Sequence, residues 1–140
     1  MFRIMIVCTG NICRSPMAEY MLKNALKDAE VSQVEVVSRA ITDGEVGKRI
    51  DERAASTLRS HGLDAAEHVA AQIDSDEIAT MDLVLAMDTD HFEELVPELA
   101  EIDPSERPQL RMFRSFDPGT ASSPHDQQGI YDPWYGDAGD

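Results

Sequence analysis

The sequence predicts an α/β protein: a four-stranded parallel sheet with helices on both faces, and its chemistry concentrated in the turn after the first strand. Three observations carry that expectation. Short apolar runs rich in Val, Ile and Leu alternate with segments whose apolar residues recur every three or four positions. The first apolar run ends at a cysteine and a turn, "VCTGNICRSP", which leads straight into a helix-like segment. The length, 140 residues, suits one domain spanning 1–140, with 42% hydrophobic residues to fill its core.

The elements follow in order. Phe2–Val7, "FRIMIV", reads as a buried strand. Ser15-Pro16 supplies a helix cap and a first-turn proline, and Met17, Met21, Leu22, Ala25, Leu26 and Ala29 carry a helix to about Ala29. Val34–Ser38, "VEVVS", is a second strand. Asp51 opens a helix with Ala54, Ala55 and Leu58 on one face, and Gly62 stops it. Asp82–Met87, "DLVLAM", is a third strand. Asp88 starts a helix carrying Phe92, Leu95 and Val96, interrupted at Pro97. Gln109–Phe113 is a candidate fourth strand. The stretch 115–136, rich in Pro, Gly, Ser and Asp, reads as a long loop, of the kind that is functional or disordered.

Composition narrows the partners. Lys and Arg total 12 against 27 Asp and Glu, a formal net charge of −15. So acidic a chain is a poor partner for nucleic acid or an anionic membrane, and an anionic substrate needs local positive charge. The first apolar run is too short for a signal peptide or a membrane span, so a cytoplasmic location is expected. Cys8 and Cys13 lie five apart, which suits neither a disulfide framework nor a zinc site. The four histidines, His61, His68, His91 and His125, show no paired metal spacing; His61, His91 and His125 read as surface residues. No metal or other cofactor is expected.

The opening loop carries the chemistry. In a parallel sheet, ligands bind beyond the carboxyl ends of the strands, where Cys8 stands. The following helix N-terminus offers unpaired N–H groups and the positive end of the helix dipole, which favour an anion, whether a thiolate or a bound oxyanion. Thr9, Gly10, Asn11, Ile12, Cys13 and Arg14 supply consecutive amides, with Gly10 and Asn11 able to take tight-turn dihedrals. The planar fork of Arg14 can grip two oxygens of a tetrahedral oxyanion. Ser15 can donate to the sulfur, cap the helix, or do both. This layout suits thiolate attack on a phosphate ester, with water later releasing the thiophosphate. The leaving oxygen then needs a proton. "FDPG" (Asp117) and "YDPWYG" (Asp132) are the two candidate acids; Tyr131, Trp134 and Tyr135 around Asp132 can wall a cleft for an aromatic leaving group, which favours Asp132.

"VCTGNICRSPMAE" closely resembles the phosphate-binding loop of the low-molecular-weight protein tyrosine phosphatases. "GLDAAEHVAAQI", "MDLVLAMD", "LRMFRSFDP" and "YDPWYG" are similar to that family's later blocks, in the same order, so the resemblance covers essentially the whole chain. It implies a four-stranded parallel sheet flanked by helices, with Cys8 as nucleophile, Arg14 as phosphate clamp and Asp132 as general acid. It also implies that Asn11, Ser38 and His68 hold the loop by hydrogen bonds, and that the substrate is a phosphotyrosine-containing protein. The second cysteine, shared with many family members, implies redox control through Cys13.

Departures from the family pattern bear on specificity. "SRAITDGE", Ser38 to Glu45, places Gly44 where the family has a wall aromatic, so an open wall is expected, with Asp43 and Glu45 near the rim. Ala71 replaces a basic residue common after the family's histidine. The family's last helix has no counterpart before Asp140. Rival activities on the same fold are arsenate reduction, which needs relay cysteines that do not occur after Cys13, and phosphoarginine hydrolysis, associated in the family with threonine where Ile12 stands. A non-hydrolytic phosphate carrier is the rival from another class.

Overall fold

A computed structural model describes residues 1–113 of the chain. Along it run β1 (Phe2–Cys8), α1 (Arg14–Asp28), β2 (Val34–Ala40), α2 (Glu52–Ser60), α3 (Ser75–Ile78), β3 (Leu83–Ala86), α4 (Thr89–Ala100) and β4 (Gln109–Met112). The four strands form one sheet in the order β2-β1-β3-β4, and every neighbouring pair is parallel.

Alternation along β1 builds two cores. Met5 and Val7 face one side, where Ile78 of α3, Val84 and Ala86 of β3, Leu95 and Leu99 of α4 and Met112 of β4 are buried with them. Ile4, Ile6 and Cys8 face the other, against Ala18, Val36, Leu85 and Met87, with Leu22 and Leu26 of α1 covering them. α2 packs on α1 through a face of Ala54, Ala55 and Leu58. Met5, Ile6 and Val7 have no exposed surface, and each such side chain contributes about 1.5–3 kcal/mol through burial.

The strand order places a site. From the central β1 the chain runs to β2 on one side, then crosses to β3 on the other. The loops leaving β1 and β3 therefore diverge, and a crevice opens between them at the carboxyl ends of the strands. Cys8 ends β1 and Asp88 follows β3.

Several local expectations are corrected. α1 begins at Arg14, two residues before Pro16, and its cap position is Cys13 with no side-chain cap bond, so Ser15 is a buried helical residue and caps nothing. Met21 is half exposed and Ala25 exposed, because the sheet receives the Ala18–Leu22–Leu26 stripe. Pro97 lies inside α4 without ending it. Pro97 and Glu93 both face solvent, where water can serve the carbonyl that a proline leaves without a donor. Val96 is also exposed; α4 buries His91, Leu95 and Leu99 instead. Asp51 and Asp88 do cap α2 and α4, accepting backbone N–H bonds through their carboxylates.

Candidate active site

The loop from Cys8 to Arg14 is laced in place by backbone bonds from two segments. Ile41 and Thr42, just beyond β2, donate N–H to the carbonyls of Cys8 and Thr9 at 3.0 and 3.1 Å, and Asp51 donates to the Ile12 carbonyl at 2.6 Å. The Thr42 hydroxyl adds a bond to the Thr9 carbonyl at 3.0 Å. Asn11 sits at φ 59°, the left-handed region that asparagine tolerates better than most side chains. The glycine at position 10 permits a close approach: a Cβ there would meet Glu45 Cγ at 3.1 Å.

Asn11 is the hub of the loop. Its side-chain oxygen accepts from Ala71 N–H at 3.1 Å, which turns the amide nitrogen toward Ser15 Oγ at 2.8 Å and Ser38 Oγ at 2.9 Å. With both amide hydrogens so used, each serine can pass its own proton onward. Ser38 donates to Glu19 Oε1 at 2.5 Å, and that carboxylate also accepts from Lys23 Nζ at 2.5 Å. Ser15 lies 2.9 Å from Cys8 Sγ and can donate to it. Asn11 N–H points at the same sulfur from 3.2 Å. His68 Nε2 donates to the Asn11 carbonyl at 2.8 Å, which sets the histidine tautomer and braces the left-handed turn. Asn11, Ser15 and Ser38 have no exposed surface, so none of these bonds competes with bulk water. Two donors are thus within reach of one buried sulfur at the bottom of the loop.

Arg14 is only 7% exposed, and its Nη1 lies 3.3 Å from Asp88 Oδ2. A charge held so deep needs its partner, and Asp88 parks the guanidinium beside the loop. Cys8, Thr9, Gly10, Asn11, Ile12, Cys13 and Arg14, joined by Thr42, Gly44 and Glu45, line a cavity of about 160 Å³. Among the described residues a Cβ on Gly44 would touch nothing within 4 Å, and Glu45 beside it lines the cavity.

The expected residues Cys8 to Ser15, Ser38 and His68 are thus brought together. Asp117, His125, Tyr131, Asp132, Trp134 and Tyr135 lie outside the described residues. Three participants were not foreseen. His91, expected at the surface, is 3% exposed and bonds Thr9 Oγ1 through Nε2 at 2.7 Å. Its spacing from Leu95 and Leu99, every fourth residue on one helix face, was the available signal. Asp88 was legible as a helix cap but not as the partner of Arg14. Glu19, buried on α1, gave no sign in the sequence. Among the described residues no group of three or more His, Cys, Asp or Glu is placed to hold a metal ion, and no helix is long and apolar enough to cross a membrane.

Comparison with known proteins agrees with this geometry. The family model described as low molecular weight phosphotyrosine protein phosphatase matches residues 3–140. The low molecular weight protein-tyrosine phosphatase A of Mycobacterium bovis is 41% identical over 138 residues, 98% of this chain and 78% of that protein. The crystal structure of Primo-1 superposes with a TM-score of 0.83 at 35% identity, covering 96% of this chain and 82% of the other. That of DARP, a Drosophila arginine phosphatase, superposes with a TM-score of 0.81 at 27% identity, over 96% and 82% of the two chains.

Proposed function

The chain belongs to the low molecular weight phosphotyrosine protein phosphatase family, and from that membership we propose that it hydrolyses phosphotyrosine esters of proteins, with Cys8 as nucleophile. The observation that supports this most is the buried Cys8 sulfur facing two donors, Ser15 O–H and Asn11 N–H, at the base of an amide-lined cavity beside Arg14. An incoming phosphate finds the loop amides directed at its oxygens, and the Arg14 fork grips two of them. Sulfur attacks phosphorus; the S–P bond forms as the bond to the tyrosyl oxygen breaks. Asp132 delivers its proton to that leaving oxygen. Water then attacks the thiophosphate, the Asp132 carboxylate takes a proton from it, and the S–P bond breaks to return the thiolate and free phosphate. No cofactor enters.

Substrate class follows from shape. A deep cradle needs a long, flat ester to bring phosphate down to Cys8, and Ile12 lines the cavity as an apolar contact for a ring. The likeness to an arginine phosphatase keeps that rival in view, and Ile12 is the residue that argues against it here. Arsenate reduction lacks relay cysteines after Cys13. A phosphate carrier would use Cys8 but has no need of an acid at position 132. We place the protein in the cytoplasm as a single domain. Cys8 and Cys13, both buried, in no disulfide and lining one cavity, serve as a reversible redox pair on this reading.

The deciding experiment is hydrolysis of p-nitrophenyl phosphate by the wild type, Cys8→Ser and Arg14→Lys. Cys8→Ser is expected to abolish turnover while phosphate still binds, and Arg14→Lys to lose most activity because an ammonium makes no bidentate grip. More than a few per cent of residual activity in Cys8→Ser defeats the thiophosphate route.

A further inference from the structure

The buried imidazole of His91 has no part in the reaction just described, yet it touches the loop next to the nucleophile. It stands on the first turn of α4, where its own backbone N–H bonds the Asp88 cap at 3.0 Å, so helix capping does not explain the ring. Its Nε2 is 2.7 Å from Thr9 Oγ1, one residue beyond Cys8, and its Nδ1 is 3.2 Å from Asp88 Oδ1. The other oxygen of that carboxylate faces Arg14. Oδ1 of that carboxylate accepts the His91 backbone N–H, so the polar tie of the ring to the loop is the bond between Nε2 and the Thr9 hydroxyl. At this phase of α4 a leucine would continue the face of Leu95 and Leu99 without the cost of burying a polar ring.

We propose that His91 is a positioning residue of the phosphate cradle: it holds Thr9, the residue after Cys8, through Nε2. The inference deepens the phosphatase reading and rests on the same loop. Its consequence is division of labour across the crevice. His68 braces the loop from one side at Asn11, and His91 braces it from the other at Thr9, tying it to the segment that follows β3. A second cavity among the described residues, about 340 Å³, adjoins this junction and is lined by Thr9, Arg14, Thr42, Asp88 and His91 among others.

The test reads binding of inorganic phosphate by calorimetry, which needs no turnover, alongside p-nitrophenyl phosphate hydrolysis and the melting temperature. Four proteins are compared with wild type: His91→Leu, His91→Gln, Thr9→Val, and Thr9→Val combined with His91→Leu. Glutamine places an amide where Nε2 stands and restores the bond to Thr9; leucine does not. His91→Leu is expected to weaken phosphate binding about tenfold, the value of a lost buried hydrogen bond. His91→Gln should recover most of that, and the leucine penalty should shrink to about twofold or less once Thr9 is valine. Phosphate binding in His91→Gln as weak as in His91→Leu, or an undiminished penalty in the Thr9→Val background, overturns the proposal. If His91→Leu does not fold, His91→Gln against Thr9→Val decides: near-wild-type binding in the first and weakened binding in the second support it, and the reverse overturns it. Wild type that binds phosphate without hydrolysing the aryl ester would defeat the phosphatase reading and leave this inference to the binding data.

Discussion

Replacing Ser38 by alanine removes a single oxygen from the second strand, and the structure says what that costs. The hydroxyl accepts one Asn11 amide hydrogen at 2.9 Å and donates to Glu19 at 2.5 Å. Asn11 has no exposed surface and Glu19 is 7% exposed, so water does not substitute easily. Leaving the Asn11 N–H unsatisfied costs about 1–3 kcal/mol, and losing a bond to a charged acceptor about 1.5–3 kcal/mol. Lys23 keeps the Glu19 charge paired at 2.5 Å, which holds the second figure to its lower end. The expected sum is roughly 2.5–4.5 kcal/mol, out of a typical total of about 5–15 kcal/mol. Urea denaturation measures it, with Thr57→Ala as control: that hydroxyl bonds a backbone carbonyl on the exposed face of α2, and its loss should stay within about 0.5 kcal/mol. Asn11 is still held by Ser15 and Ala71, so Ser38→Ala should keep more activity than Ser15→Ala, which loses the donor to sulfur. A Ser38→Ala loss below about 1 kcal/mol would refute the view of this hydroxyl as a dry, doubly bonded node.

Three further outcomes test the chemistry. Asp132→Asn is expected to slow esters with poor leaving groups far more than those with good ones, whereas Asp117→Asn has a small effect; equal slowing of both ester classes by Asp132→Asn removes Asp132 as the acid. Trp134→Ala should raise KM for aryl phosphates, and Ile12→Thr should shift preference from phosphotyrosine toward phosphoarginine; comparable wild-type rates on phosphoserine and phosphotyrosine peptides would defeat the assignment of substrate. After peroxide inactivation, dithiothreitol should restore wild type but much less of Cys13→Ser, whose Cys8 proceeds beyond sulfenic acid; matching recovery in the two proteins would deny Cys13 a protective role.

What the sequence discloses is local, and what it hides is contact across distance. The four strands were legible because a parallel sheet buries both faces, so each strand is a short continuous apolar run. Asp51 and Asp88 were legible as caps because capping is a short-range event. Ser15 looked like a cap by the same rule, and the rule failed because Asn11 and Cys8 claim its hydroxyl. His91 and Asp88 enter the site only because β3 lies beside β1, a pairing between segments roughly 80 residues apart, so nothing near them announces Thr9 or Arg14. Glu19 likewise answers to Ser38, on another element. Cys8, Arg14 and Asn11 stood out because a whole loop of consecutive residues does one task.

The central place of β1 sets an order of events during synthesis. Its first neighbour, β2, emerges soon after it, but its second, β3, begins at Leu83. Until then the Met5 and Val7 face has no partner strand on that side, and Arg14 lacks the carboxylate that parks it. Pairing β1 with β3 closes a long loop, the slow kind of step in folding. A nascent chain halted before Leu83 therefore carries the thiol, the amide loop and the arginine in sequence but not in assembled form. The arginine gains its carboxylate partner only when the third strand docks, so the loop is completed later than the segment that encodes it.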